Sequence, residues 1–442
     1  MLKRLSVFII ILSLITVLQA GDDEFNTNRL PIGNPLTKYD FCSVKKDSIL
    51  DCKSNTNISL ENLIQNLKNH RIILIGESHT NDSHHQVQLQ ILKGLAESGE
   101  DVCLALEMFN PSQNEVLNQY TSGKMSEEEF LNHSNYFNTW GHNYRYYKPI
   151  FDFASKNRIK MYGVNIDHKF ASKIGRGGIQ SLTPEELQQL PQIDTTDVEH
   201  RYFVKAVMEG MDATSPKQFE KIYQAQSLWD TAMGEGAIAV ARENPDSKIL
   251  VLAGSGHVAY NLGISRIIRK RSDIPFVSLV SIDIPDTVKE SMMMKVKKSL
   301  KKKKETPEPS VKKQTNKMPM SMMPGSGSNA VPHKIVARSL ADFLWGLPEE
   351  KQEKYPTLGF SVNDKTKTGF EIKMVYPESI AEQQGLERGD VIQSIDKHTF
   401  ENKVELKKYL GLKNWKNTIS MDVLRKGENV QLNFIIAKEE EK

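Results

Sequence analysis

Five short aliphatic runs punctuate the chain, and four of them break off in the same way. Residues 72–75 stop at Gly76-Glu77-Ser78-His79, and residues 101–106 stop at Glu107. Residues 158–164 lead to Asn165 and Asp167, and residues 248–253 stop at Gly254-Ser255-Gly256-His257. The fifth run is 276–282. These stretches are dominated by Ile, Val and Leu without regular polar alternation, the pattern of strands buried on both faces. Behind the first run, Asn81, Asp82 and Ser83 can cap a helix, and Val87, Ile91, Leu92 and Leu95 recur at helical spacing. Helical patterns also cover 59–67, 111–120, 197–211 and 216–242, and Ser126 with Glu129 forms a capping box. Thr183-Pro184-Glu185-Glu186 marks another helix start.

Strand alternating with helix predicts an α/β fold, a mainly parallel sheet flanked by helices. The long helical insertion before residue 242 is predicted to form a helical cap. In open α/β sheets ligands bind in the crevice outside the carboxyl ends of the strands. Glu77, His79, Glu107, Asn165 and His257 are therefore predicted to share one rim, with His84 and His85 close to it in the first helical turn. Residues 167–180 hold Gly175, Gly177 and Gly178 with Lys173 and Arg176, and are expected to form a mobile loop by the rim. No P-loop pattern is present.

The remaining stretches differ in character. Lys3 and Arg4 precede an apolar run over 5–18, followed by Ala20, Gly21 and two Asp, which reads as a secretory signal peptide spanning 1–20. The protein is thus expected to be exported to the periplasm or outer cell envelope. Residues 21–58 are read as an N-terminal arm and 59–290 as the α/β domain. Export would let Cys42 and Cys52 pair, while Cys103, inside a strand pattern, is expected to be a buried free thiol. The 442 residues carry a formal charge of +3. Ten Lys and two Glu between 291 and 332 contribute +8, which leaves about −5 elsewhere and excludes a generic nucleic-acid binder. This Lys- and Met-rich stretch is read as a disordered linker over 291–340, able to touch anionic lipid. Residues 341–442 form a separate small domain rich in short strands.

Two imidazoles and two carboxylates on one rim suit three kinds of chemistry. His79, His257 and Glu77 could ligate a divalent metal, Zn, Fe or Mn. Glu77, His79, Glu107 and His257 could instead perform acid–base catalysis without a metal. They could also position a cofactor. Residues 135–147 carry Tyr136, Phe137, Trp140, Tyr144, Tyr146 and Tyr147, which either pack helices or wall a pocket for a flat ligand.

The motifs Gly76-Glu77-Ser78-His79, His84-His85-Gln86, Leu106-Glu107-Met108-Phe109 and Gly254-Ser255-Gly256-His257-Val258 resemble the ChaN-like haem-binding uptake proteins of the Tiki superfamily. The resemblance implies a haem cofactor and a role in haem or iron acquisition. Other members of that superfamily are proposed metal-dependent proteases or esterases, which implies a hydrolase as the alternative. By motif match it carries over Glu77, His79, Glu107 and His257. It also places His84, His85, Asn165, Tyr260 and Arg266 beside the cofactor, the last through the turn Gly263-Ile264-Ser265-Arg266. Gln226, Trp229, Asp230 and Met233 resemble the family helix that closes over the site. No motif selects the haem ligand, and a homodimer stays open. Leu358-Gly359-Phe360, 376–386 and Gly389-Asp390-Val391-Ile392 resemble a PDZ domain. That implies that Leu358, Gly359 and Phe360 capture the C-terminus of a peptide partner, which would add as a strand. Thr357 stands where that pattern often has Gly.

Overall fold

The computed structural model describes residues 26–209, 215–286 and 331–437. The expected signal peptide, and the Lys- and Met-rich stretch up to residue 330, lie outside the described residues. The first domain begins with β1 (Phe41–Lys45), β2 (Ser48–Asp51), β3 (Thr56–Ile58) and α1 (Leu60–Leu67). It continues through β4 (Ile72–Glu77), α2 (Asp82–Glu97) and β5 (Val102–Leu106). Four helices follow: α3 (Asn114–Thr121), α4 (Glu127–His133), α5 (Tyr136–Thr139) and α6 (Tyr144–Lys156). Then come β6 (Met161–Gly163), α7 (His168–Gly177), α8 (Pro184–Leu187), α9 (Val198–Glu209) and α10 (Pro216–Glu243). β7 (Lys248–Gly254), α11 (Ser255–Val258), α12 (Ile264–Arg271) and β8 (Phe276–Ile284) lead to residue 286. After residue 330 the chain returns as β9 (His333–Ala337) and β10 (Phe343–Pro348).

The main sheet has the order β3-β2-β10-β8-β4-β7-β5-β6. Neighbours from β10 to β6 run parallel, while β2 joins β10 and β3 antiparallel. The aliphatic runs are explained by burial on both faces. In β4, Ile72 and Leu74 enter one core and Ile73 and Ile75 the other. β7 repeats this, with Ile249 and Val251 on the first side and Leu250 and Leu252 on the second. Helices after β4 and β5 pack in the second core, through Val87, Ile91, Leu117 and Phe151. Helices after β6 and β7 pack in the first, through Phe170, Leu228, Ile264 and Ile268. β7 lies between β4 and β5, so its outgoing chain diverges from those of both neighbours. A crevice must open at that divergence, at the carboxyl ends of the three strands.

The expected mainly parallel α/β fold is observed, and three boundaries move. Residues 41–58, assigned to an arm, are strands of the sheets, and β1 pairs with β9. Residues 333–348, assigned partly to a linker and partly to the small domain, belong to the first domain: β10 fills the gap between β8 and β2. A strand separated from its neighbours by a stretch without apolar pattern carries no local sign of which sheet it joins. Both flanks of the Lys- and Met-rich stretch meet at Lys46, whose N–H bonds Pro332 O at 3.0 Å and whose Nζ lies 2.6 Å from Asp286. That stretch therefore leaves one domain and returns to it, and does not link two. Finally, the loop expected at 167–180 is mostly helix α7, started by Asp167, whose side chain accepts from Lys169 N. The three cysteines are buried free thiols, Cys42 and Cys52 included.

The second domain is a five-stranded antiparallel sheet, β11 (Phe360–Val362), β12 (Phe370–Val375), β13 (Val391–Ile395), β14 (Thr418–Arg425) and β15 (Glu428–Ile435), in that order. It also holds α13 (Ile380–Gln383) and α14 (Lys403–Gly411). It docks on the aromatic segment of the first domain. Lys407 Nζ donates to Phe137 O at 2.6 Å, Asn143 Nδ2 to Gly411 O at 2.8 Å, and the Arg145 guanidinium lies 3.9 Å over the Tyr355 ring.

The boundary at β10 is testable. Phe343, Leu344, Trp345 and Leu347 are buried, and burying each contributes about 1.5–3 kcal/mol. Their joint loss rivals a whole domain's stability of about 5–15 kcal/mol. A chain ending at residue 286 is expected to lack a cooperative thermal transition, whereas one ending at residue 350 should unfold cooperatively; circular dichroism distinguishes them.

Candidate functional site

The rim predicted from the strand ends exists. Glu77 closes β4, Glu107 follows β5, Asn165 follows β6 and His257 lies on α11 directly after β7. Because β7 is flanked by β4 and β5, the side chains from these three strand ends converge. They form two imidazole–carboxylate assemblies at the floor of a cavity of about 700 Å³, within the range of small-molecule sites.

The first assembly is centred on Glu77, which is 1% exposed. Oε1 lies 2.7 Å from His79 Nδ1 and accepts from Tyr147 OH at 2.6 Å. Oε2 accepts from Gln88 Nε2 at 2.6 Å and lies 3.2 Å from His85 Nδ1. Burial pushes the Glu77 carboxyl up, but His85 and His79 outweigh it and hold it well below the usual carboxylate range. Burial opposes charge on His85 too, yet Glu77 raises its pKa. Burial pushes Tyr147 well above the ordinary phenol value, so it stays a donor. The His79 ring packs against Trp140 at 4.9 Å and His142 at 4.5 Å, and those two rings also meet each other at 5.2 Å.

The second assembly is centred on His257. Nδ1 lies 2.6 Å from Asp230 Oδ1, and Nε2 faces Glu107 Oε1 at 3.4 Å. The far oxygen of Asp230 pairs with His200 Nε2 at 2.9 Å. Gly254 N donates to Glu107 Oε2 at 2.6 Å, and Asn165 Nδ2 donates to Glu107 O at 2.9 Å. Burial disfavours the imidazolium, but Glu107 and Asp230 together raise His257 to about 10. Asp230 falls to about 2, since His257 and His200 overcome its burial. Glu107 is lowered for the same reason, with His257 as its main partner. Gly263 supports this assembly from behind: a Cβ there would sit 2.2 Å from His257 O and 3.0 Å from Asp230 Oδ1.

Above these pairs the cavity is walled by Phe109, Ile166, Trp140 and Trp229, by amides such as Asn110 and Asn138, and by His133, His168, Lys169 and Arg176. The surrounding wall, aided by Arg176, holds His168 below the ordinary histidine value.

Four predicted cofactor contacts do not reach this cavity. His84 is locked between Ser78 N and Asp283, at 3.0 Å each, and His85 backs Glu77. The Tyr260 hydroxyl donates to Thr27 O and accepts from Leu30 N, fastening the N-terminal segment. Arg266 is fully buried, pairing with Asp194 at 2.7 Å. Each occupies the space just behind the rim, where chain proximity to a motif puts a residue near the site without aiming it inward. The predicted metal set also separates: Glu77 serves His79, whereas His257 is held by Asp230 and Glu107. Among the described residues, no group of three or more His, Cys, Asp or Glu has metal-holding geometry. Sequence reasoning gave no role to Gln88, His200 or His168; it placed Asp230 only on the helix that closes over the site and Tyr147 only among the aromatics that pack helices or wall a pocket. Asp230 and Gln88 did carry a signal, since each is polar yet shares its helix face with apolar residues, Met233 and Ala237 beside Asp230, Ile91 and Leu92 beside Gln88. The aromatic segment does both jobs foreseen for it: Tyr136, Tyr144 and Tyr147 are core, and Trp140 lines the cavity.

Residues 63–268 match the family described as haem-binding uptake, Tiki superfamily, ChaN, and residues 356–436 match the PDZ domain family. No curated protein sequence matches the chain. Among solved structures, the chain is similar to ChaN of Campylobacter jejuni with cofacially bound haem, at 22% identity and a TM-score of 0.45, covering 53% of this chain and 90% of that one. An erythromycin esterase mutant in its open conformation aligns at 13% identity and a TM-score of 0.34, covering 56% and 78%. The HtrA3 PDZ domain bound to a phage-derived ligand aligns at 16% identity and a TM-score of 0.17, covering 18% and 82%.

The His257 assembly predicts an alkaline dependence of stability. The folded pKa of about 10 exceeds the unfolded value of about 6.5. Its contribution is therefore complete below about 6.5 and is lost as pH rises towards 10, at up to about 1.4 kcal/mol per pH unit. Denaturant unfolding between pH 6 and 10 should show this decline in the wild type and a shallower one in Asp230→Asn. Equal slopes would refute the assignment.

Proposed function

We propose that this chain, which joins a ChaN-like domain of the Tiki superfamily to a PDZ domain, binds haem in the cavity and serves haem or iron acquisition as an exported protein. The observation that carries the reading is that the haem-binding family match, residues 63–268, spans every residue of both imidazole–carboxylate assemblies. The cavity's chemistry fits the group. Trp140, Trp229 and Phe109 offer flat apolar surface, imidazoles offer nitrogen to iron, and Lys169 with Arg176 offers cations to carboxylates. Bound haem would supply an iron centre. The chain's own residues orient it and exclude water. The basic and apolar N-terminal residues support export. Titrating the full chain with haem is expected to give a saturable Soret shift; a shift that stays linear with added haem would sink the reading.

The PDZ match over 356–436 supports capture of a peptide C-terminus from an envelope partner. β11 is the edge strand of its sheet, and Leu358-Gly359 enters it with Gly359 at φ +83°. A Cβ at Gly359 would lie 2.2 Å from Ser379 Cβ, and the positive φ disfavours any other residue. Gly359→Ala should weaken binding of C-terminal peptides about tenfold or more while leaving haem binding unchanged, as read by fluorescence polarisation of a labelled peptide library.

A second reading is favoured by one observation: two histidines, each oriented by its own carboxylate, face a common cavity. Such a pair suits hydrolysis, with His79 taking a proton from water while Glu77 orients it. The His257 imidazolium would donate to the developing oxyanion. Ester turnover abolished by His79→Ala would support it.

A further inference from the structure

The two domains meet along two seams, and each seam ties one wall of the peptide groove to one wall of the cavity. Helix α14 and the edge strand β11 flank the groove: Leu406 and Leu410 of α14 share a small core with Leu358, Phe360 and Val362. Val404, Lys407, Lys408 and Gly411 recur at helical spacing on another face of α14, and that face meets the first domain. Val404 packs on the second core of that domain. Lys407 Nζ donates to Phe137 O at 2.6 Å, Lys408 pairs with Glu128 at 2.8 Å, and Gly411 O accepts from Asn143. Asn138, Thr139 and Trp140, directly after Phe137, line the cavity.

The second seam is the 350–357 segment. The Glu350 carboxylate accepts from Ser83 N at 2.8 Å, at the start of α2. The Glu353 carboxylate accepts from Thr80, the residue after His79, and from Thr357, the residue before Leu358-Gly359-Phe360. One side chain thus touches both the motif loop of the cavity and the loop that would hold a peptide carboxylate. Lys407 bonds a carbonyl and Glu353 bonds hydroxyls, so these contacts neutralise neither charge. Desolvation in the seam, with Lys403 nearby, pulls the Lys407 ammonium below its ordinary value, and burial raises the Glu353 carboxyl. Both charges regain water when the seams part, and interfaces between domains of one chain commonly permit such motion.

A strand added to β11 enters between β11 and α14 and pushes the two apart. The entry to β11 is held through Glu353 and α14 through Lys407, so the seams bear that displacement. We infer that capture of a peptide C-terminus in the groove releases the second domain from α5 and from the 78–83 loop, which loosens the cavity wall and weakens ligand binding there. By linkage, a ligand in the cavity weakens peptide capture by the same factor. The inference rests on the peptide reading above, and one of its two readouts also uses the haem reading.

The test uses the full chain, the tightest-binding labelled peptide of the C-terminal library, its amidated form as a control, and haemin. The peptide with a free carboxylate should raise amide hydrogen exchange across 134–143, measured by mass spectrometry. It should also weaken haemin binding about fivefold or more, the lower end of typical coupling between sites. The amidated peptide should do neither. In the double variant Lys407→Met with Glu353→Ala, circular dichroism should show an intact fold. Its peptide affinity should match or exceed the wild type, and its haemin affinity should no longer respond to peptide. Peptide binding that leaves exchange unchanged, or leaves saturable haemin binding unweakened, overturns the inference and leaves the peptide reading standing; so does full coupling in the double variant. Raised exchange with no saturable haemin binding overturns the haem reading alone. A library with no binder overturns the peptide reading and this inference together.

Discussion

A carboxylate carried into a protein interior must be neutralised and fully hydrogen-bonded, or it shifts its pKa and takes up a proton. Glu77 meets that demand with four partners: His79, His85, Gln88 and Tyr147. They come from the loop after β4, from α2 and from α6, so one buried charge ties the central strand to the helices on its second face. The aromatic segment is held to the rim through Tyr147. Trp140, which walls the cavity, depends on that segment. Asp230 plays the same part on the other face, drawing together His257 after β7 and His200 on α9. The two faces of the sheet are each pinned at the carboxyl edge by a charge that only histidines neutralise.

The same edge receives the second domain. Helix α14, which carries Lys407, seats on Phe137 of α5. Asn138 and Thr139 of α5 line the cavity. Arg145 and Tyr146 of α6 meet Tyr355 and the 413–414 turn. The second domain is therefore seated against the segment that forms one cavity wall. The cationic stretch, by contrast, begins and ends beside Lys46 in the first domain. The seam between the domains includes the short 349–357 segment, where Glu353 O accepts from Trp415 and Lys354 pairs with Asp82.

What the sequence by itself determined was local and repetitive. Ile72–Ile75 and Leu250–Leu252 read as strands buried on two faces, because a parallel sheet covered by helices on both sides accepts such uninterrupted aliphatic runs. With strand positions known, the polar residues that follow them had to lie at one edge, which made Glu77, His79, Glu107, Asn165 and His257 legible. Caps such as Asn81, Ser126 and Thr183 were legible because their hydrogen bonds span three residues. Tertiary structure decided the rest, because those contacts join residues that nothing local relates. Tyr147 reaches Glu77 across 70 positions, and Asp230 reaches His257 across 27. Strand β10 inserts beside β8 after a long excursion. His84, Tyr260 and Arg266 share motifs with the rim yet point away from it, since a one-residue change of facing is invisible in a linear pattern. Placement near a site follows from chain connectivity, but orientation into it follows from packing.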